Sequence, residues 1–236
     1  MTLRRAAFAA LMLSAPSALA DVTYQSLPRT MNFEIKLGPY KPLIDEEAGL
    51  TGSPYAETFS GSMLLFELEA DRYLWQKIGA LGVGFSAGYA EKYGDAFTQD
   101  GGRTGDVKTS LKVVPLRLLG LYRFDYGAQH YGIPFVPYVK AGLVYTAWWA
   151  SKGASTIDYV NGDRAAGGKW GAEAVFGVAF LLDVLEPRLA HDFYSDIGIA
   201  HTYLFGDFTY AADNNFGQAG LDLSSKHFMF GLSFEY

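Results

Sequence analysis

The chain reads as all-β: an eight-stranded antiparallel up-and-down transmembrane β-barrel with four long extracellular loops and short periplasmic turns. Three observations predict it. Eight segments alternate with a period of two, the spacing that sends successive side chains to opposite faces of a strand. Long and short connections alternate between those segments without exception. Third, the 236 residues are 50% hydrophobic and 16% aromatic, yet after residue 20 no stretch approaches the ~18 apolar residues of a membrane-spanning helix. The longest, residues 174–182, is framed by Glu173 and Asp183. A chain crosses a bilayer without such helices by closing a barrel, which satisfies every backbone donor and acceptor between strands.

Residues 1–20, MTLRRAAFAALMLSAPSALA, predict a secretory signal peptide. Arg4 and Arg5 precede a short apolar stretch, and the segment closes on Ala18-Leu19-Ala20, a small-residue cleavage pattern. Cleavage there is expected to leave residues 21–236 as the barrel, outside the cytoplasm. With no cysteine in the chain, disulfides, thiolate metal sites and lipid attachment through cysteine are excluded. A net charge of −6, from 19 basic and 25 acidic residues, offers no basic stripe for nucleic acid. The aromatic content and a charged fraction of only 19% exclude a disordered chain.

Segment one, residues 32–37, sets Phe33, Ile35 and Leu37 against Glu34 and Lys36. Segment two, 62–74, sets Leu64, Phe66 and Leu68 against Leu65, Glu67 and Glu69. Segment three, 81–89, places Leu81, Val83, Phe85, Ala87 and Tyr89 opposite Gly82, Gly84, Ser86 and Gly88. Segment four, 110–124, puts Val114, Leu116, Leu118, Tyr122 and Phe124 outward and Arg117 and Arg123 inward, with Leu119 and Leu121 breaking the polar face. Segment five, 135–149, sets Val139, Ala141, Leu143 and Tyr145 against Tyr138, Lys140 and Gly142. Segment six, 170–182, sets Ala172, Ala174, Phe176, Val178 and Phe180 against Gly171, Glu173, Gly177 and Ala179. Segment seven, 196–208, has the weakest pattern: Ile197, Ile199, Tyr203 and Phe205 against Gly198, Ala200 and Thr202. Segment eight ends the chain, with Phe228, Phe230, Leu232, Phe234 and Tyr236 alternating with Met229, Gly231, Ser233 and Glu235. An even count suits a single-chain bacterial outer-membrane barrel.

The connections 75–80, 125–134 and 183–195 are short; 38–61, 90–109, 150–169 and 209–226 are long and polar or glycine-rich. In an up-and-down barrel this gathers the long loops at one rim, the extracellular one. A lipocalin-like soluble barrel has no general reason to segregate loop lengths, and its polar face would point outward. The third short connection is expected to hold a short helix broken near Pro187. Aromatics gather at strand ends, where an amphipathic ring keeps an apolar body and a wet tip. Tyr73, Trp75, Tyr122, Phe124 and Tyr236 fall near the periplasmic rim; Tyr89, Tyr93, Tyr145, Trp148, Trp149 and Trp170 fall near the outer one. The aromatic final strand, carrying Phe228, Phe230, Leu232, Phe234 and Tyr236, resembles the recognition strand that outer-membrane barrels offer to the barrel-assembly machinery. Left unpaired, such an edge would aggregate; at the seam it pairs with the first strand.

Three stretches, FEIKLGPYKPLID (33–45), LLDVLEPRLA (181–190) and GIAHTYLFGDF (198–208), resemble a family of small outer-membrane β-barrel proteins of myxobacteria and their relatives. The resemblance implies an eight-stranded barrel in the outer membrane of a Gram-negative-type bacterium. It brings no assigned chemistry, so no catalytic residue transfers.

Motifs for chemistry are sparse. His130 and His191 fall in short turns and His201 and His227 near strand ends, with no i, i+4 pair of the helical zinc kind; no metal, cofactor or catalytic residue is assigned. Ser224 and Ser225 near His227, with His201 on a neighbouring strand, leave a small opening for a lipid-modifying enzyme, since histidine activates a serine hydroxyl. The loop acids Asp45, Glu46, Glu47, Asp95, Asp100 and Asp106 follow no calcium-loop spacing. Glu34, Lys36, Glu67, Glu69, Arg117, Arg123, Lys140, Glu173 and Glu235 should line the lumen: five acids and four bases. A bore of eight strands is only wide enough for side chains or one small ligand, so these charges should pair and plug it. The expected function is a membrane-anchored structural or interaction scaffold. Its working surface would be the extracellular loops, its partners the outer-membrane lipids and an unidentified extracellular ligand. The alternative is a narrow channel for small solutes, hydrophobic ones included, tuned by Glu67, Glu69 or Arg117.

Overall fold

The computed structural model describes residues 29–47, 50–97, 103–152, 159–160, 163–218 and 221–236; the expected signal peptide lies outside them. Eight strands close a barrel: β1 (Met31–Tyr40), β2 (Met63–Lys77), β3 (Gly79–Phe97), β4 (Arg103–Arg123), β5 (Phe135–Lys152), β6 (Ala166–Leu181), β7 (His201–Ala212) and β8 (Ser225–Glu235). Every barrel pairing is antiparallel between sequence neighbours, and β1 meets β8 to close the wall, from Asn32↔Glu235 to Leu37↔Phe230. A separate two-residue ladder, Tyr159–Val160 with Asp163–Arg164, decorates the β5–β6 connection.

Burial follows the period of two. Along β2, Leu65, Glu67, Glu69 and Asp71 are buried while Leu64, Phe66 and Leu68 are exposed. A wall of this kind cannot stand in water. Phe176 and Phe230, on the strands either side of β7, are each 59% exposed, and Leu37, Phe85, Leu118, Val139, Leu143 and Leu204 share the outer face around the barrel. A contiguous apolar surface on that scale marks contact with lipid.

The strands run further than the alternation predicts. β3 and β4 extend into the expected 90–109 loop and pair there, Glu91↔Lys112 to Phe97↔Arg103, so this hairpin projects beyond the apolar band. The outer β1–β2 connection holds a 3-10 turn (Ile44–Glu46) and helix α1 (Pro54–Thr58). At the inner rim, Gly79 takes φ +90° and turns β2 into β3. Helix α2 (Tyr126–Tyr131) lies between β4 and β5, and α3 (Pro187–Ile197) between β6 and β7. The expected helix near Pro187 is therefore present; proline begins it instead of breaking it, because the missing N–H is an unpaired donor at that position anyway.

Three expectations of facing are corrected. On segment seven, Asp196 and Ile197 belong to α3, β7 starts at His201, and Tyr203 (fully buried) and Phe205 point into the bore. Leu204 takes the lipid side. The rings enter because the wall leaves room: a Cβ on Gly231 would meet the Phe205 ring at 2.8 Å. Tyr73 also faces inward, while Trp75 faces lipid. Alternation would give residues 73 and 75 one face; a bulge at Leu74, with Tyr73↔Gly82 followed by Trp75↔Leu81, separates them. Trp148, placed in the outer aromatic belt from sequence, packs against the buried cluster inside the outer mouth.

The interior stacks in three layers. An apolar plug at the outer mouth contains Tyr40, Ile44, Tyr55, Met63, Leu65, Leu111, Val113, Leu223 and Met229. A second plug at the inner mouth contains Ala128 of α2 with Val136, Tyr138, Val175, Ala179, Leu181, Tyr203 and Phe205. Charged residues fill the waist between them.

Candidate functional site

Strand register builds the waist. Pairing of β1 with β2 sets Glu34 opposite Glu69 and Lys36 opposite Glu67, so Lys36 is ringed by carboxylates of its own and the adjoining strand. The Lys36 ammonium lies 2.5 Å from Glu69, 3.1 Å from Glu67 and 3.5 Å from Glu34. Lys140, reaching in from β5, lies 2.8 Å from Glu34, 3.7 Å from Asp71 and also contacts Glu69. Arg117 joins Glu173 at 2.6 Å and also contacts Glu67. Glu34, Glu69 and Asp71 come close enough together to suggest a cation site. Lys36 and Lys140 occupy the positions from which a cation would neutralise them.

Nearer the inner rim, Glu235 is the hub. Its carboxylate accepts from the Tyr73 hydroxyl at 2.7 Å and the Tyr203 hydroxyl at 3.0 Å, and pairs with Arg29 at 3.2 Å and Arg123 at 3.3 Å. Arg29 pairs in turn with Asp125 at 2.6 Å. Removing one partner of such a desolvated pair leaves the other uncompensated, a loss of about 3–5 kcal/mol.

All nine residues expected to line the lumen are thus buried and ion-paired, divided between the waist and this lower hub. The bore also buries Arg29, Asp71, Asp125, Lys169, Asp207 and Asp213, which sequence reasoning missed. Among the described residues the buried charges come to nine acids and six bases, not five and four. Neutral donors absorb the surplus: Tyr138 donates to Asp207 at 2.9 Å, and Asn32 to Glu34 and Asp71 at 3.0 Å each. Asp71 continues the inward row of Glu67 and Glu69 and was legible; Asp207 was hidden by the reversed facing of segment seven.

Little space remains. A cavity of about 10 Å³ between Glu34, Asp71, Arg123, Tyr138 and Lys140 has room for about one water. The residues weighed for lipid chemistry do not converge. His201 sits at the inner rim on Asp183, 2.7 Å away, whereas His227 lies toward the outer end of β8 with Ser225 Oγ at 3.2 Å, both buried inside the wall. Opposite rims hold the two histidines, so His201 does not join the Ser225–His227 pair.

The outer loops are more open. Asp45 accepts the N–H groups of Tyr55 at 2.8 Å and Ala56 at 3.0 Å, fixing α1 over the outer mouth. Burial, reinforced by Asp45, pushes the Tyr55 phenol up to about 12. Beside α1, a cleft of about 230 Å³ is lined by Glu57, Phe59, Tyr93 and the Asp95–Lys108 ion pair. Asp100 and the side chain of Asp106 lie outside the described part of the loop.

A closed eight-strand antiparallel topology, an apolar exterior and a charged, filled interior define an outer-membrane β-barrel. The fold matches the outer membrane protein OprG from Pseudomonas aeruginosa with a TM-score of 0.55 and 14% identity, over 88% of this chain and 96% of that one. Escherichia coli outer membrane protein W aligns at 0.40 with 18% identity, over 90% and 100% of the two chains. Ail, the attachment invasion locus protein of Yersinia pestis, aligns at 0.40 with 11% identity, over 88% and 97%. No family model and no curated protein matches the chain. The likeness to OprG is one of fold alone.

Proposed function

We propose that this protein is a membrane-anchored scaffold: the barrel holds it in the outer membrane, and the outer loops engage an extracellular ligand. The filled bore carries the reading. Two apolar plugs and an ion-paired waist with space for about one water leave binding, not passage, as the work of the molecule. The cleft between α1 and the projecting β3–β4 hairpin is the proposed contact surface, since loops on a rigid frame are where recognition concentrates. Export through residues 1–20 and insertion by the barrel-assembly machinery, guided by Phe228, Phe230, Leu232, Phe234 and Tyr236 on β8, belong to the same proposal. The lipid-facing exposure of that row supports it. So does the resemblance to the myxobacterial barrel family, which carries no assigned chemistry.

Purified protein reconstituted in a planar bilayer tests the reading. The expected result is a silent membrane; reproducible unitary openings would overturn it in favour of the narrow solute channel.

A further inference from the structure

Helix α3 is the element that the filled barrel does not use. It leaves the wall after Leu181 and returns at His201, on the inner rim, and none of its residues is buried. Pro187 starts it and Gly198, at φ +76°, stops it with its N–H on the Tyr194 carbonyl at 3.1 Å. At about 100° per residue, Leu189, Phe193, Ile197, Ala190 and Tyr194 fall within roughly 140° of one another. Arg188, His191, Asp192, Ser195 and Asp196 fill the opposite arc. Leu185 just before the helix is also exposed: Leu185, Leu189 and Ile197 are 68%, 50% and 59% exposed.

Eleven residues is too short for a helix to hold well on propensity alone. Its stability comes from burying the apolar stripe, and nothing among the described residues covers that stripe. The neighbouring established interface is lipid: Phe180 pairs with Leu204 in the last outward-facing row of β6 and β7, directly below the points where α3 departs and returns. We infer that α3 is an interfacial foot, lying along the periplasmic leaflet with its stripe at the boundary between headgroups and acyl chains. Most such helices carry a basic polar face. This one, with Glu186, Asp192 and Asp196 against Arg188, does not. The foot is therefore held by apolar burial in a zwitterionic surface, and neither anionic lipid nor low salt is needed. It fixes the depth of the barrel in the inner leaflet.

This inference rests on the membrane-barrel reading, and the test separates the two. The cysteine-free chain accepts single spin labels cleanly. Leu189→Cys and Ile197→Cys probe the stripe, Arg188→Cys and Asp192→Cys the polar face, and Phe176→Cys the lipid-facing wall. Labelled proteins are placed in vesicles of phosphatidylethanolamine and phosphatidylcholine, and collisions with oxygen and with a water-soluble nickel chelate are compared. The stripe labels are expected to favour oxygen several-fold, as the wall label does, while the polar-face labels favour nickel. Stripe labels as open to nickel as the polar face, with the wall label still in lipid, would overturn the foot alone. Stripe labels shielded from both reagents would mean a protein covers them, and would overturn it too. A nickel-accessible wall label would overturn the membrane reading and the foot with it.

Discussion

Asp213 shows how the outer mouth couples to pH. It follows β7, outside the spanning segment, with Thr146 donating to one carboxylate oxygen at 2.7 Å. Burial pushes its carboxyl up from the ordinary range to about 7; Glu173 and Asp222 push the same way, while Thr146 and Arg117 oppose them. The unfolded chain ionises this group near pH 4, the folded chain only near 7. The unfolded state therefore sheds its proton first, and folding loses stability as pH rises through that window, then levels off. Asp213→Asn keeps an acceptor for Thr146 and removes the titration. In urea unfolding from lipid vesicles, the variant should match the parent at pH 4 and exceed it at pH 8. Equal stability at pH 8 would contradict the assignment.

The seam between β1 and β8 depends on a small residue. Gly231 faces inward, and a Cβ there would collide with the Ile35 carbonyl on β1 and press on the Phe205 ring. The carbonyl is backbone and cannot step aside. Gly231→Ala is expected to cost about 1–3 kcal/mol, as overpacking does, read as a lower urea midpoint for the folded barrel. At Gly206, on the outer face of β7, the nearest contact is the Phe230 ring at 3.1 Å, which is free to turn toward lipid. Gly206→Ala should therefore leave the midpoint nearly unchanged. The bulge at Leu74 and helix α2 were not visible in the alternation for a common reason. A period of two reports a strand but is silent about one inserted residue or about what joins two strands.

At the level of the barrel, the closed wall and its lipid-facing band predict a folding behaviour. Refolding from urea should require detergent or lipid, and the folded protein should migrate differently in dodecyl sulfate gels before and after boiling. Refolding to a monomer in plain buffer would sink the inside-out assignment. The expected export segment and assembly strand concern the route to that state; the plugged bore concerns what the protein does once there.

The sequence alone sufficed for the strand count, the all-antiparallel connectivity and the outward faces of seven segments, because lipid on one side imposes a period that survives without any partner in view. It also revealed nine of the buried charges, since a polar residue at every second position of a greasy strand has one place to go. Tertiary contact settled the rest. Tyr203 and Phe205 are apolar enough for either face, and their choice turns on Gly231 opposite Phe205 on β8 and on Glu235 as hydrogen-bond acceptor. Likewise Arg29 precedes any strand, and its role exists only because closure brings Asp125 and Glu235 to it from distant parts of the chain.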